Sequence, residues 1–201
     1  MSLMVDIRKL SLINEMAKVG TNGVADNMSK LTGEDARMEV TKTNFMDIED
    51  IKAQLGDGKR VGVRVRLMEP PHGHILILFP EASAKKITAL MLSDMVDDLS
   101  GVSGEMARSA VEELGNMMAS GFIDGWADVL GRTIDIATPQ LVYAPAGEVV
   151  ERTAGLGGED LALFFDSSMN VPSYEIEAEI YAFPDLEEFV EMVNSIEARP
   201  S

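Results

Sequence analysis

The sequence predicts an α+β fold: two duplicated helix–three-strand units forming one mainly antiparallel sheet, with long helices on one face and a pseudo-two-fold relation between the units. Three observations predict it. Segments of helical and of alternating periodicity run in the order helix, three strands, helix, and then in that order again. Displacing the first half by 98 positions places Ser11 on Ser109, Glu15 on Glu113, Gly23 on Gly121, Asp26 on Asp124 and Gly33 on Gly131. The unit ends correspond too, Leu78-Phe79-Pro80-Glu81 with Ala182-Phe183-Pro184-Asp185, at an offset near 104. Two such units expose strand edges, and sharing one sheet pairs those edges. The expectation is a single domain over residues 1–201, built from repeats at about 5–81 and 103–185 and a closing helix at 185–196.

Residues 6–31 read as helix, with Ile13, Met16, Ala17 and Leu31 at partial helical spacing and Gly33 as the stop. Gly20 and Gly23 predict a break within it or a second short helix. A strand is expected over 37–46, and a turn or short helix over 47–59. Val61, Val63, Val65 and Leu67 alternate with Gly62, Arg64 and Arg66, which predicts a strand with one solvated face. Pro70-Pro71-His72-Gly73 is a turn, and His74–Phe79 is the partner strand. Ser83 is the expected N-cap of a helix reaching Leu92. A long helix runs from about Ser103 to Leu130 and stops at Gly131. Strands at about 132–144, 160–168 and 173–182 follow, with turns at Gly155–Gly158 and Asn170–Ser173. Asp185 opens an acidic amphipathic helix.

Composition narrows the function classes. The net charge of -17, from 34 acidic and 17 basic residues, opposes phosphate-backbone binding, so no nucleic-acid partner is expected. Acidity spread along the whole chain suits solubility at high salt. No cysteine is present, which excludes disulfides, thiol catalysis and thiolate metal sites. No segment has the apolar length of a membrane span, and the first residues lack the pattern of a signal peptide, so a cytoplasmic protein is expected.

Ser109, Glu113, Asn116 and Pro139 form the pattern S-x3-E-x2-N-x22-P. On a helix, with Ser109 at zero, Glu113 falls at about 40° and Asn116 at about -20°, whereas Val111, Leu114, Met118 and Phe122 fall on the opposite side. A hydroxyl, a carboxylate and a carboxamide thus share one outward face. A solvated helix face is the bland reading. Against it, the row holds no Glu–Lys pairs four apart, and an Asn in mid-helix costs stability. The earlier copy is degenerate: Ser11 and Glu15 persist, but Lys18 stands for Asn and Thr41 for Pro.

This pattern, [D/S]-x3-E-x2-N-x22-P in a duplicated chain, resembles the CheC class of the CheC/CheX/FliY phosphatases, over nearly the whole length. The resemblance implies hydrolysis of the aspartyl phosphate on the chemotaxis response regulator CheY, which carries its own Mg²⁺; no cofactor is expected on this chain. It implies that Asn116 orients the attacking water and that Glu113 pairs with the partner's active-site lysine, while Ser109 and Pro139 support the site. Glu15 and Ser11 are then silent, because Lys18 can donate but not accept and repels the partner's cations. Lys18→Asn is expected to return part of a second site. The alternative is an adaptor that binds the receptor deamidase CheD, or phosphorylated CheY, with little catalysis. A flagellar switch component of FliM or FliY type would carry a further C-terminal domain.

Other signals have plainer readings. His72 and His74 could ligate a metal, but with no third histidine a turn beside a strand is expected, and no metal site is assigned. Gly155–Gly158 lacks the Lys-Ser/Thr of a phosphate loop. Asp97-Asp98 reads as a solvated loop, and the methionines as core filler.

Overall fold

The computed structural model describes residues 9–92, 104–155, 161–173 and 175–196. The elements are α1 (Leu10–Thr32), β1 (Arg37–Asp47), α2 (Ile48–Leu55), β2 (Lys59–Leu67), β3 (Gly73–Pro80), α3 (Glu81–Leu92), α4 (Gly104–Leu130), β4 (Gln140–Pro145), α5 (Ala146–Ala154), β5 (Leu161–Asn170), β6 (Glu179–Pro184) and α6 (Leu186–Ser195). The order α-β-α-β-β-α therefore occurs twice. The six strands of the described residues form one sheet in the order β1-β5-β6-β3-β2-β4, and every pair is antiparallel. Exchanging β1 with β4, β2 with β5 and β3 with β6 reverses this order onto itself, which is the expected pseudo-two-fold. The β3–β6 pair lies at its centre.

The long helices α1 and α4 pack on one face, as alternation predicts. Ile13, Met16, Val24 and Met28 of α1 and Val111, Leu114, Met118 and Phe122 of α4 are buried with Val61, Val63, Val65, Ile75, Ile77 and Phe79. Phe122, Trp126, Phe165 and Phe189 meet with ring centroids 5.0 to 5.9 Å apart, joining α4, β5 and α6. Edge-on and tilted contacts of this kind add to the area they bury.

The glycines of α1 do not break it. Gly20 and Gly23 lie inside a continuous helix at its crossing with α4. A Cβ on Gly23 would fall 2.4 Å from the Gly121 carbonyl oxygen, and one on Gly125 would fall 2.3 Å from the Gly20 nitrogen. These residues are small because two backbones touch, and the tertiary gain outweighs their poor helix propensity. Asn27 Nδ2 donates to the Met117 carbonyl at 3.1 Å across the same crossing. Gly33 and Gly131 end α1 and α4 as expected, both at positive φ.

The opposite sheet face is covered as well. Ile51 and Leu55 of α2 and Val149 and Val150 of α5 pack on Leu76, Leu78, Tyr181 and Phe183. Helix α2 takes the helical alternative expected for 47–59, whereas α5 falls where the sequence suggests only a connection. The Gly62 side of β2 is consequently not solvated at that point: a Cβ on Gly62 would meet Val149 Cγ1 at 2.7 Å.

Other boundaries differ for identifiable reasons. The strand expected over 132–144 begins only at Gln140. Before it, the chain runs beside β2 through one isolated bridge, Leu67 to Ile136, and Pro139 has no N–H to extend the ladder. The strand expected over 173–182 is Glu179–Pro184, because the Glu177 N–H donates to Ser83 Oγ at 3.0 Å instead of joining a ladder. Ser83 is accordingly not the N-cap of α3, which starts two residues earlier. Asp185 does cap α6, accepting the Glu188 N–H at 3.0 Å. Residue 103, the start expected for the long helix, lies outside the described residues, as do Asp97-Asp98 and residues 156–158 of the glycine turn. Among the described residues, no helix is long and apolar enough to cross a membrane.

Candidate active site

Helix α4 carries the polar row as its periodicity predicts. Val111, Leu114, Met118 and Phe122 are buried, Ser109 and Glu113 are exposed, and Asn116 is half-buried. Gly115 seats the helix on the sheet, since a Cβ there would lie 2.5 Å from Val63 Cγ1. The row faces a second wall, the segment Ile136–Pro139 just before β4. Together Ser109, Glu112, Glu113, Asn116, Ser120, Ile136, Ala137, Thr138 and Pro139 line one shallow cleft of about 600 Å³. All four motif residues meet there, although Pro139 is 23 positions beyond Asn116 in the chain.

Pro139 owes its position to β2. The Ala137 N–H donates to the Arg66 carbonyl at 2.9 Å, the Met68 N–H to the Asp135 carbonyl at 2.9 Å, and Gln140 then pairs opposite Arg64. The wall is therefore held by backbone bonds on one side and closed by a residue with fixed φ. Arg108 makes a further tie that sequence reasoning missed. Its Nε donates to Glu112 Oε1 at 3.3 Å and its Nη2 to the Leu141 carbonyl at 3.3 Å, joining α4 to β4. The four-residue spacing of Arg108 and Glu112 was the available signal.

Among the described residues, the side chains of Ser109, Glu113 and Asn116 have no hydrogen-bond or ion-pair partner. Among the described residues, the cleft lining contains two carboxylates, Glu112 and Glu113, and no cation. Of the two, Glu112 is engaged by Arg108, which leaves Glu113 to attract a positive group from outside.

The earlier copy is built differently. A cleft of about 880 Å³ lies between α1 and β1, and Lys18 lines it with Arg37 and Lys42. Ser11 and Glu15 are exposed on α1 but do not line this cleft. Thr41 sits at a register irregularity between Val40 and Lys42, and β1 pairs on through it, where Pro139 keeps the corresponding stretch out of the sheet. The two histidines have separate surroundings. His72 Nδ1 lies 2.9 Å from Glu188 Oε2, whereas His74 stands opposite Arg66 in the β2–β3 register.

A Halobacterium salinarum protein named "Putative CheY-P phosphatase CheC1" is 48% identical over 196 residues, covering 98% of this chain and 100% of that protein. The chain belongs to the CheC-like family. The model of the CheC-like family matches residues 106–143, a stretch that contains Ser109, Glu113, Asn116 and Pro139. Thermotoga maritima FliY shares the fold with a TM-score of 0.75 at 16% identity, covering 96% of this chain and 100% of that one. The FliM middle domain from Vibrio alginolyticus does so with a TM-score of 0.64 at 10% identity, covering 90% and 99%. In this chain the complete pattern stands only on α4.

Proposed function

We propose that this CheC-like protein is a cytoplasmic phosphatase that hydrolyses the aspartyl phosphate of the response regulator CheY and so resets motor signalling. The observation that carries the reading is the convergence of Glu113, Asn116 and Pro139 in one cleft, with both polar side chains unpartnered among the described residues. The name of the 48% identical relative supports the same substrate.

The chemistry asks little of this chain. Water attacks phosphorus in line, the bond from phosphorus to the aspartyl oxygen breaks, and the products are a free carboxylate and inorganic phosphate. Catalysis is then positioning and electrostatics, with the divalent cation supplied by the partner. Asn116, at the wall of the cleft, has a carbonyl to accept from water and an amide to donate to a phosphoryl oxygen. Glu113, one turn away and exposed, suits pairing with a lysine of the partner. Ser109 and Pro139 shape the two walls. The first-half cleft presents Lys18 where Asn116 stands in the second, so one catalytic centre is proposed.

The test is phosphate release from CheY charged with acetyl phosphate. Adding the protein in catalytic amount should accelerate release with turnover. Stoichiometric binding of phosphorylated CheY without acceleration, or capture of CheD without any effect on release, would support the adaptor function instead.

A further inference from the structure

The sheet face opposite the long helices holds a basic cluster that the proposed phosphatase does not use. In the β2–β3 register Arg66 stands opposite His74 and Arg64 opposite Leu76, so Arg64, Arg66 and His74 project from the same face as neighbours. This chain has twice as many acidic as basic residues. Nevertheless, among the described residues neither Arg64 nor Arg66 makes an ion pair. Arg64 is half-buried, and among the described residues its one side-chain partner is the amide oxygen of Gln140. His74 Nδ1 is fully buried and has no hydrogen-bond partner among the described residues. A half-buried guanidinium without a counter-charge and a buried, unpaired ring nitrogen are both costly, and an anion beside them, with the exposed Arg66 at its rim, accounts for both at once.

We propose that Arg64, Arg66 and His74 form a binding site for a phosphate-type oxyanion. Two guanidinium forks match tetrahedral oxyanions bidentately, and an imidazole N–H adds a third donor. Burial, with the nearby Arg64 and Arg66 charges, holds the His74 pKa below its usual value, so the neutral ring presents a donor rather than a third charge. Burial likewise lowers Arg64. The site is distinct from the α4 cleft yet mechanically close to it: Gln140, bonded to Arg64, directly follows Pro139. The inference stands whether or not the protein dephosphorylates CheY.

With only two histidines in the chain, nuclear magnetic resonance of the imidazole carbons reads the site directly, and His72, held by Glu188, is the internal control. Titrating inorganic phosphate at constant ionic strength should shift the His74 signals saturably and leave His72 in place. Arg66→Gln, at an exposed position, should weaken the midpoint by about tenfold, and Arg64→Gln with Arg66→Gln should abolish the shift. If His74 does not respond, responds equally in Arg66→Gln, or responds only to a hexaglutamate peptide, the oxyanion assignment is wrong.

Discussion

In the proposed function Asn116 and Glu113 divide the work of the cleft, and that division is testable residue by residue. Neither side chain has an internal partner among the described residues, so removing either should leave the fold intact. Asn116→Ala is expected to unfold within about 0.5 kcal/mol of the parent, the usual range for a position free of structural contacts. Glu113→Gln removes the charge offered to the partner's cation. It should weaken binding of phosphorylated CheY, raising KM more than it lowers kcat, with a smaller effect at high salt. Arg108→Ala should act less directly, releasing Glu112 and loosening the tie to Leu141. The roles assigned to Glu113 and Asn116 come from the family resemblance and their shared face from the sequence pattern; the wall formed by Ile136–Pro139, and the tie made by Arg108, come from folding. A spacing of 23 residues says nothing about distance until β2 fixes the path between them.

At the scale of elements, the α1–α4 crossing is the tightest join. Gly121→Leu would drive a side chain into the Gly23 backbone, 2.8 Å from where its Cβ would stand. Overpacking of this kind should cost about 3 kcal/mol, or roughly 6–12 °C in Tm for a chain of this length, measurable by calorimetry. The sequence showed these glycines but not their purpose, because a glycine at a backbone contact and one at a break are the same letter. Helix α5 was hidden for a related reason: its stripe is only Val149, Val150 and flanking alanines, too short to stand out from a connection. The α4 face was legible because 27 residues give periodicity room to declare itself. Degenerate α1 is a further case. Since Glu15 and Ser11 do not line the cleft beside Lys18, Lys18→Asn in an Asn116→Ala background should stay inactive, contrary to the expectation from the repeat alone.

The turn before β3 holds α6 through Glu188, which accepts the His72 N–H at 2.8 Å and contacts its ring. These bonds from His72, its backbone N–H foremost, keep the Glu188 carboxyl below its ordinary value of 4.5. A depressed acid stabilises the fold fully above the unfolded value and loses that contribution as pH falls through the folded value. The stabilisation should thus be complete above about pH 4.5 and disappear below it. In Glu188→Gln, the pH dependence of the unfolding midpoint in this acid window should be correspondingly flatter.

For the whole molecule, symmetry and charge set the frame. The strand order is its own mirror under exchange of the two halves, yet the equivalent clefts differ in sign: Glu112 and Glu113 line one, Lys18, Arg37 and Lys42 with Asp26 and Glu39 the other. The duplicated order was legible because Ser11 and Ser109, Glu15 and Glu113, and Gly23 and Gly121 keep one spacing. The covering of both sheet faces was not, since the Gly62, Arg64 and Arg66 side of β2 reads as solvated whether or not a helix such as α5 packs against part of it. A net charge of -17 repels itself, so the unfolding midpoint should rise between low and molar salt as repulsion is screened. The proposed chemistry turns on one carboxamide, that of Asn116. The decay of phosphorylated CheY, measured with the parent protein and with Asn116→Ala at matched stability, tests it most directly. A loss of about a hundredfold or more in the dephosphorylation rate is predicted, with CheY binding preserved; full activity in Asn116→Ala would contradict the account.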